Sequence, residues 1–164
     1  MQQFTQKYTI IHFLNPLPNG AEFASTDWPL HVTLAETFAI QQDLPTLIDS
    51  ISTVARHHEP VRTTAVNEAN FGPNQDIPVI LIDMPPTLMS LHNDIVSSLE
   101  SNCGASFNNP HYIKDGYVAH STIRSDTQLH RGDSIIIDSL SIVDMFPDSD
   151  PYRRKIISTF PLGR

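Results

Sequence analysis

Apolar residues fall along this chain in short runs divided by prolines and polar turns, and their spacing alternates between period two and period 3.6. Lys7–Leu14 is dense in β-branched and aromatic residues and reads as a strand, which Pro16–Gly20 ends. Leu30–Phe38 is a second strand. Leu44, Leu47, Ile48, Ile51 and Ala55 then follow helical spacing, with Asp43 as candidate N-cap and Pro45 in the first turn. That helix should end near His57-His58, before Pro60. Val61–Ala69 and Pro78–Met84 read as strands on either side of the turn Gly72-Pro73-Asn74. A second helix follows Pro85-Pro86, carries Leu88, Leu91, Ile95 and Leu99 on one face, and stops at Gly104. After an asparagine-rich loop come three more strands: Tyr117–Arg124, Ile135–Met145 and Lys155–Leu162. The order strands, helix, strands, helix, strands predicts an α+β fold of two similar halves, each a mostly antiparallel sheet backed by a helix.

Composition adds limits to this pattern. The 164 residues suit one domain over 1–164, and 40% hydrophobic with 17% charged residues is ordinary for a globular protein. The single cysteine, Cys103, cannot form an internal disulfide. No charged-then-apolar leader precedes Gln2–Phe4, and apolar runs such as Val79–Ile82 are far too short to span a bilayer, so a cytoplasmic protein without membrane contact is expected. The net charge of −8 argues against tight binding along a long nucleic acid. Basic residues are absent between Arg62 and Lys114 and gather afterwards, at Lys114, Arg124, Arg131 and Arg153-Arg154-Lys155. An anionic ligand should therefore be small, or gripped at one end.

The chemistry concentrates in His31-Val32-Thr33-Leu34 and His120-Ser121-Thr122-Ile123. Each lies in a predicted strand, where alternate side chains share a face, so each His points with its Thr while the residue between faces the core. With eight histidines in the chain, two copies of His-x-Thr-apolar arise in roughly one random shuffle in forty. Threonine is common in strands and a strand histidine can be a satisfied core residue. The duplication, one copy per half, is what moves the reading to catalysis.

The chain resembles the 2H phosphoesterases, and most closely the bacterial 2′-5′ RNA ligase / RNA 2′,3′-cyclic phosphodiesterase group. Besides the two motifs, the resemblance rests on Trp28-Pro29-Leu30 leading into His31, Phe38 after it, Asp115-Gly116-Tyr117 leading into His120, and Arg124 directly behind the second motif. Ser121 departs from the pattern, where an apolar residue is more usual. The resemblance implies a bilobal, internally duplicated fold: two antiparallel sheets, helices on the outside, and the motif strands facing each other across a central groove. Chemistry agrees with this. One histidine can take a proton from an attacking oxygen while the other gives one to the leaving oxygen, since the unperturbed pKa is about 6.5. The threonine hydroxyls can donate to the non-bridging oxygens as charge develops.

The expected activity is metal-independent and cofactor-free hydrolysis of a 2′,3′-cyclic phosphate to a 2′-phosphate, on an RNA terminus or a small nucleotide, by a monomer. Reversal would give 2′-5′ ligation. Alternatives are a phosphodiesterase for 2′-5′ oligonucleotides or cyclic nucleotide signals, and a nucleotide-binding module without turnover. Arg124 is a candidate phosphate or ribose contact. Tyr117, Tyr112 and Phe71 are candidates for base stacking, and His111 and Lys114 for the groove rim. His57-His58 lacks a completing Cys or carboxylate cluster and reads as a helix C-terminus. His12, His92 and His130 carry no motif.

Overall fold

The structure is a computed structural model that describes residues 6–123 and 128–163. Among these are ten β-strands and two α-helices. In chain order they are β1 (Lys7–Phe13), β2 (Glu22–Ala24), β3 (His31–Ala39), α1 (Leu44–Arg56), β4 (Val61–Phe71) and β5 (Ile77–Ile82). They continue with α2 (Pro86–Cys103), β6 (Ser106–Phe107), β7 (His120–Thr122), β8 (Ser134–Ile137), β9 (Ser139–Asp144) and β10 (Arg153–Pro161). No described helix is long and apolar enough to cross a membrane.

Two antiparallel sheets result. The larger has the order β2-β10-β9-β1-β3-β6 and the smaller β7-β5-β4-β8. Neither sheet belongs to one half of the chain. The smaller joins β4 and β5 to β7 and β8, while β9 and β10 return to the larger. The apolar run expected as one strand, Ile135–Met145, is therefore two. β8 pairs with β4, and β9 pairs with β1 and β10. The break falls at the exposed Asp138. Before it burial alternates, as in a strand solvated on one face; after it Leu140, Ser141, Ile142 and Val143 are all buried.

The helices form as their spacing dictates. The Asp43 carboxylate accepts the Thr46 N–H (3.0 Å), capping α1, and His57 Nδ1–H closes its other end on the Thr53 carbonyl (2.7 Å). Gly104 ends α2 in the left-handed region (φ 63°). The helices lie against one another, α1 also on β9 and β10 and α2 on β3. Their buried faces, with Leu47, Ile51, Leu91, Ile95 and Leu99 fully buried, join Ile10, Leu34 and Phe38 in the main core. Each such side chain contributes about 1.5–3 kcal/mol relative to exposure. A second apolar cluster of Ile11, Phe13, Val143 and Ile156, with Trp28 and Met145 packed on it, lies on the other side of the larger sheet.

Candidate active site

β3 is held between β1 and β6, and β7 is an edge strand on β5. Both are aimed by what they bury. Val32 and Leu34 are fully buried and Ser121 is 2% exposed, so His31, Thr33, His120 and Thr122 turn the other way. The two strands approach one another, and all four side chains line one cavity of about 920 Å³. That is ample for a nucleotide. None of its lining residues comes from α1 or α2.

The two histidines are oriented identically. His31 Nδ1 lies 2.8 Å from the Pro29 carbonyl and His120 Nδ1 lies 2.8 Å from the Val118 carbonyl, two residues back in each case. A carbonyl only accepts, so each Nδ1 carries the hydrogen and the basic lone pair of the neutral ring is on Nε2. Burial lowers the pKa of His120, with the Val118 carbonyl opposing. An aromatic ring stands beside each: Trp28 at 4.8 Å from His31, and Phe71 at 4.6 Å from His120, edge-on. Arg154 lies over Trp28, 5.9 Å from the ring. The Thr33 and Thr122 hydroxyls have no hydrogen-bond partner among the described residues.

The other expected contacts divide. Phe71 and the exposed Tyr112 line the cavity. Tyr117 does too, but it is packed into the wall: its hydroxyl donates to the Thr33 carbonyl (2.8 Å) and its ring stacks on His92 at 3.8 Å. Lys114 and His111, expected at the rim, are not lining residues, and Lys114 Nζ pairs with Glu100 on α2 at 3.1 Å. Arg124 lies outside the described residues.

Three further groups belong to the site. Trp28, the only tryptophan, noted above only as part of the family resemblance, is a wall residue. Glu36 reaches the cavity from within β3. His92, fully buried on α2, donates from Nδ1 to the Leu34 carbonyl (2.7 Å) and accepts the Lys114 N–H at Nε2 (2.9 Å). Together His92 and Tyr117 tie the first motif strand to the segment that enters the second. Among the described residues, no three His, Cys, Asp or Glu side chains converge as a metal site would require.

Solved structures share this architecture. A crystal structure of a phosphoesterase aligns with TM-score 0.59 and 14% identity, covering 98% of this chain and 100% of that one. TT0787 of Thermus thermophilus aligns with TM-score 0.62 and 14% identity, over 96% and 99% of the two chains. E. coli LigT complexed with 3′-AMP aligns with TM-score 0.56 and 14% identity, over 97% and 99%; LigT has also been crystallised with ATP and with NADP+. At such identity the likeness is one of fold. No curated protein matches the sequence. The sequence model of the 2′-5′ RNA ligase superfamily, however, matches residues 17–136, a span holding both motifs. The chain belongs to the 2′-5′ RNA ligase superfamily of 2H phosphoesterases.

Proposed function

We propose that this protein is a metal-independent phosphodiesterase that opens a 2′,3′-cyclic phosphate, on an RNA end or a nucleotide, to a 2′-phosphate. The observation that carries the reading is the matched pair of histidines, each fixed through Nδ1, sharing one cavity with two threonine hydroxyls that have no partner among the described residues. A water oxygen forms a bond to phosphorus and gives its proton to one Nε2. The P–O3′ bond breaks, and the other histidine, protonated, delivers a proton to O3′. Burial lowers the His120 pKa and so favours its neutral form, the one able to take a proton. Thr33 and Thr122 donate to the non-bridging oxygens. Reversal, with a 5′-hydroxyl in place of water, would give a 2′-5′ linkage. The nucleotides held by LigT support a small nucleotide as ligand.

One observation favours a second substrate of the same class. An aromatic ring stands beside each histidine, Trp28 at His31 and Phe71 at His120, and both line the cavity, which suits a 2′-5′ diester joining two nucleosides. The test is a panel of cyclic phosphates and 2′-5′ dinucleotides, assayed with and without EDTA. His31→Ala and His120→Ala should each lower kcat on the best substrate by a factor on the order of 10²–10⁴. Near wild-type turnover in either variant, or loss on chelation that a divalent ion restores, would sink the proposal.

A further inference from the structure

The phosphate-holding groups leave one charged member of the cavity unused. Among the described lining residues Glu36 is the only Asp, Glu, Lys or Arg. Strict alternation from His31 and Thr33 would put Ala35 in the cavity and Glu36 in the core. At this point, however, β3 takes two extra residues relative to β1: Ile11 pairs with Thr33 but Ile10 with Ala35, and the next pair is Tyr8 with Phe38. Ala35 is fully buried in consequence, and both Glu36 and Thr37 reach the cavity wall. Such bulges re-aim side chains next to binding sites.

The carboxylate is not consumed by the fold. Its Oε2 accepts the Asn109 N–H at 2.8 Å, its only hydrogen bond among the described residues. The nearby cation, Lys7, donates from Nζ to Asn108 Oδ1 (2.7 Å). Burial raises the Glu36 pKa, with the Asn109 N–H and Lys7 opposing. A half-buried carboxylate repels phosphate at its end of the cavity and accepts N–H or O–H donors there, and each of its oxygens has two lone pairs. Asn109 also opens the turn that carries Tyr112, whose N–H donates to the Asn109 carbonyl (3.0 Å). The Tyr112 ring, 55% exposed, lines the same wall.

We propose that Glu36, with Asn109 and Tyr112, forms a nucleobase subsite that selects guanine. Guanine presents two adjacent donors, N1–H and N2–H, which a carboxylate accepts side by side. Adenine opposes the carboxylate with the N1 lone pair, and hypoxanthine keeps N1–H but lacks the amino group. This inference rests on the groove being a nucleotide site, and it adds which nucleotide.

The test compares guanosine, inosine and adenosine 2′,3′-cyclic phosphates on wild type and on Glu36→Gln, whose folding is checked by thermal melting. Wild-type kcat/KM should fall in the order guanosine, inosine, adenosine, with guanosine ahead of adenosine by roughly ten- to hundred-fold, as for a good bidentate base contact. In Glu36→Gln the guanosine-to-adenosine ratio should collapse towards one. A ratio unchanged in the variant, or no base preference in wild type, overturns the subsite. If no cyclic phosphate is turned over, the same ratio is read from calorimetric Kd values for 3′-GMP and 3′-AMP. A guanine preference there that Glu36→Gln abolishes upholds the subsite while the hydrolase reading falls; equal Kd values, or no binding of either, overturn the subsite too.

Discussion

Ser121 shows how much a single position between two functional side chains can cost. It lies back to back with His120 and Thr122, paired with Ile80 and 2% exposed, and its hydroxyl is buried without a partner among the described residues. A buried hydroxyl left unsatisfied costs roughly 1–3 kcal/mol. Ser121→Ala should therefore raise stability, by about 1 kcal/mol in denaturant titration once the lost side-chain packing is offset. A loss of stability would show that the hydroxyl finds a partner. The sequence marked this residue as the one departure from the family pattern, and alternation alone gave its inward direction. Glu36 was hidden for the opposite reason. Alternation placed it in the core, and the extra residues that turn it outward are a matter of pairing between β1 and β3.

Elements joined by buried polar contacts respond to pH as units. His92 fastens α2 to β3 and to the segment before β7, with both ring nitrogens engaged. Burial lowers its pKa, the Leu34 carbonyl opposing, and a proton on Nε2 would break the bond from the Lys114 N–H. The unfolded chain takes up this proton first, near pH 6.5, so the contribution of His92 to stability is lost as pH falls below about 6.5 towards its folded value. His12 and His120, also lowered by burial, share that sign. Glu36 and Asp144, raised by burial, have the opposite sign in the more acidic part of the range, because the folded chain binds their protons first. Comparing variants cancels these shared terms. His92→Gln, which can donate and accept but does not titrate, should melt below wild type at about pH 7 and lose less on going to about pH 5. Equal losses would show that His92 does not titrate with folding. Nothing in the sequence around His92 announced this role, since a buried histidine without a motif looks like any other. The helices themselves were legible, because the apolar spacing and caps of α1 and α2 are local signals. β2 and β6, of three and two residues, were too short to carry a period.

At the scale of the molecule, charge sets how a nucleic acid can be held. The chain carries a net charge of −8, and the described cavity wall offers no Lys or Arg. Binding of an RNA that ends in a 2′,3′-cyclic phosphate should thus gain little from added length. Its log K against log[salt] slope should correspond to roughly one to three phosphates at about 0.7 each. Affinity climbing steadily with RNA length, or a slope equivalent to six or more phosphates, would reveal an extended binding track. The two motifs could be read from the sequence because duplication made them conspicuous, and their facing arrangement followed from the family resemblance they carry. The weave of the sheets could not, because the passage from β8 to β9 is one exposed aspartate inside an apolar run.

That weave has a consequence for the order in which the protein comes into being. As the chain is made, β1 and β3 appear early, yet β1 must wait for β9, and β4 for β8, before either loses its open edge. The first histidine is therefore synthesised long before the surface it will face, and the unpaired edges of β1 and β4 stand exposed to other nascent chains in the interval. The groove comes into existence only with the last third of the polypeptide, when the sheets on both of its sides close together.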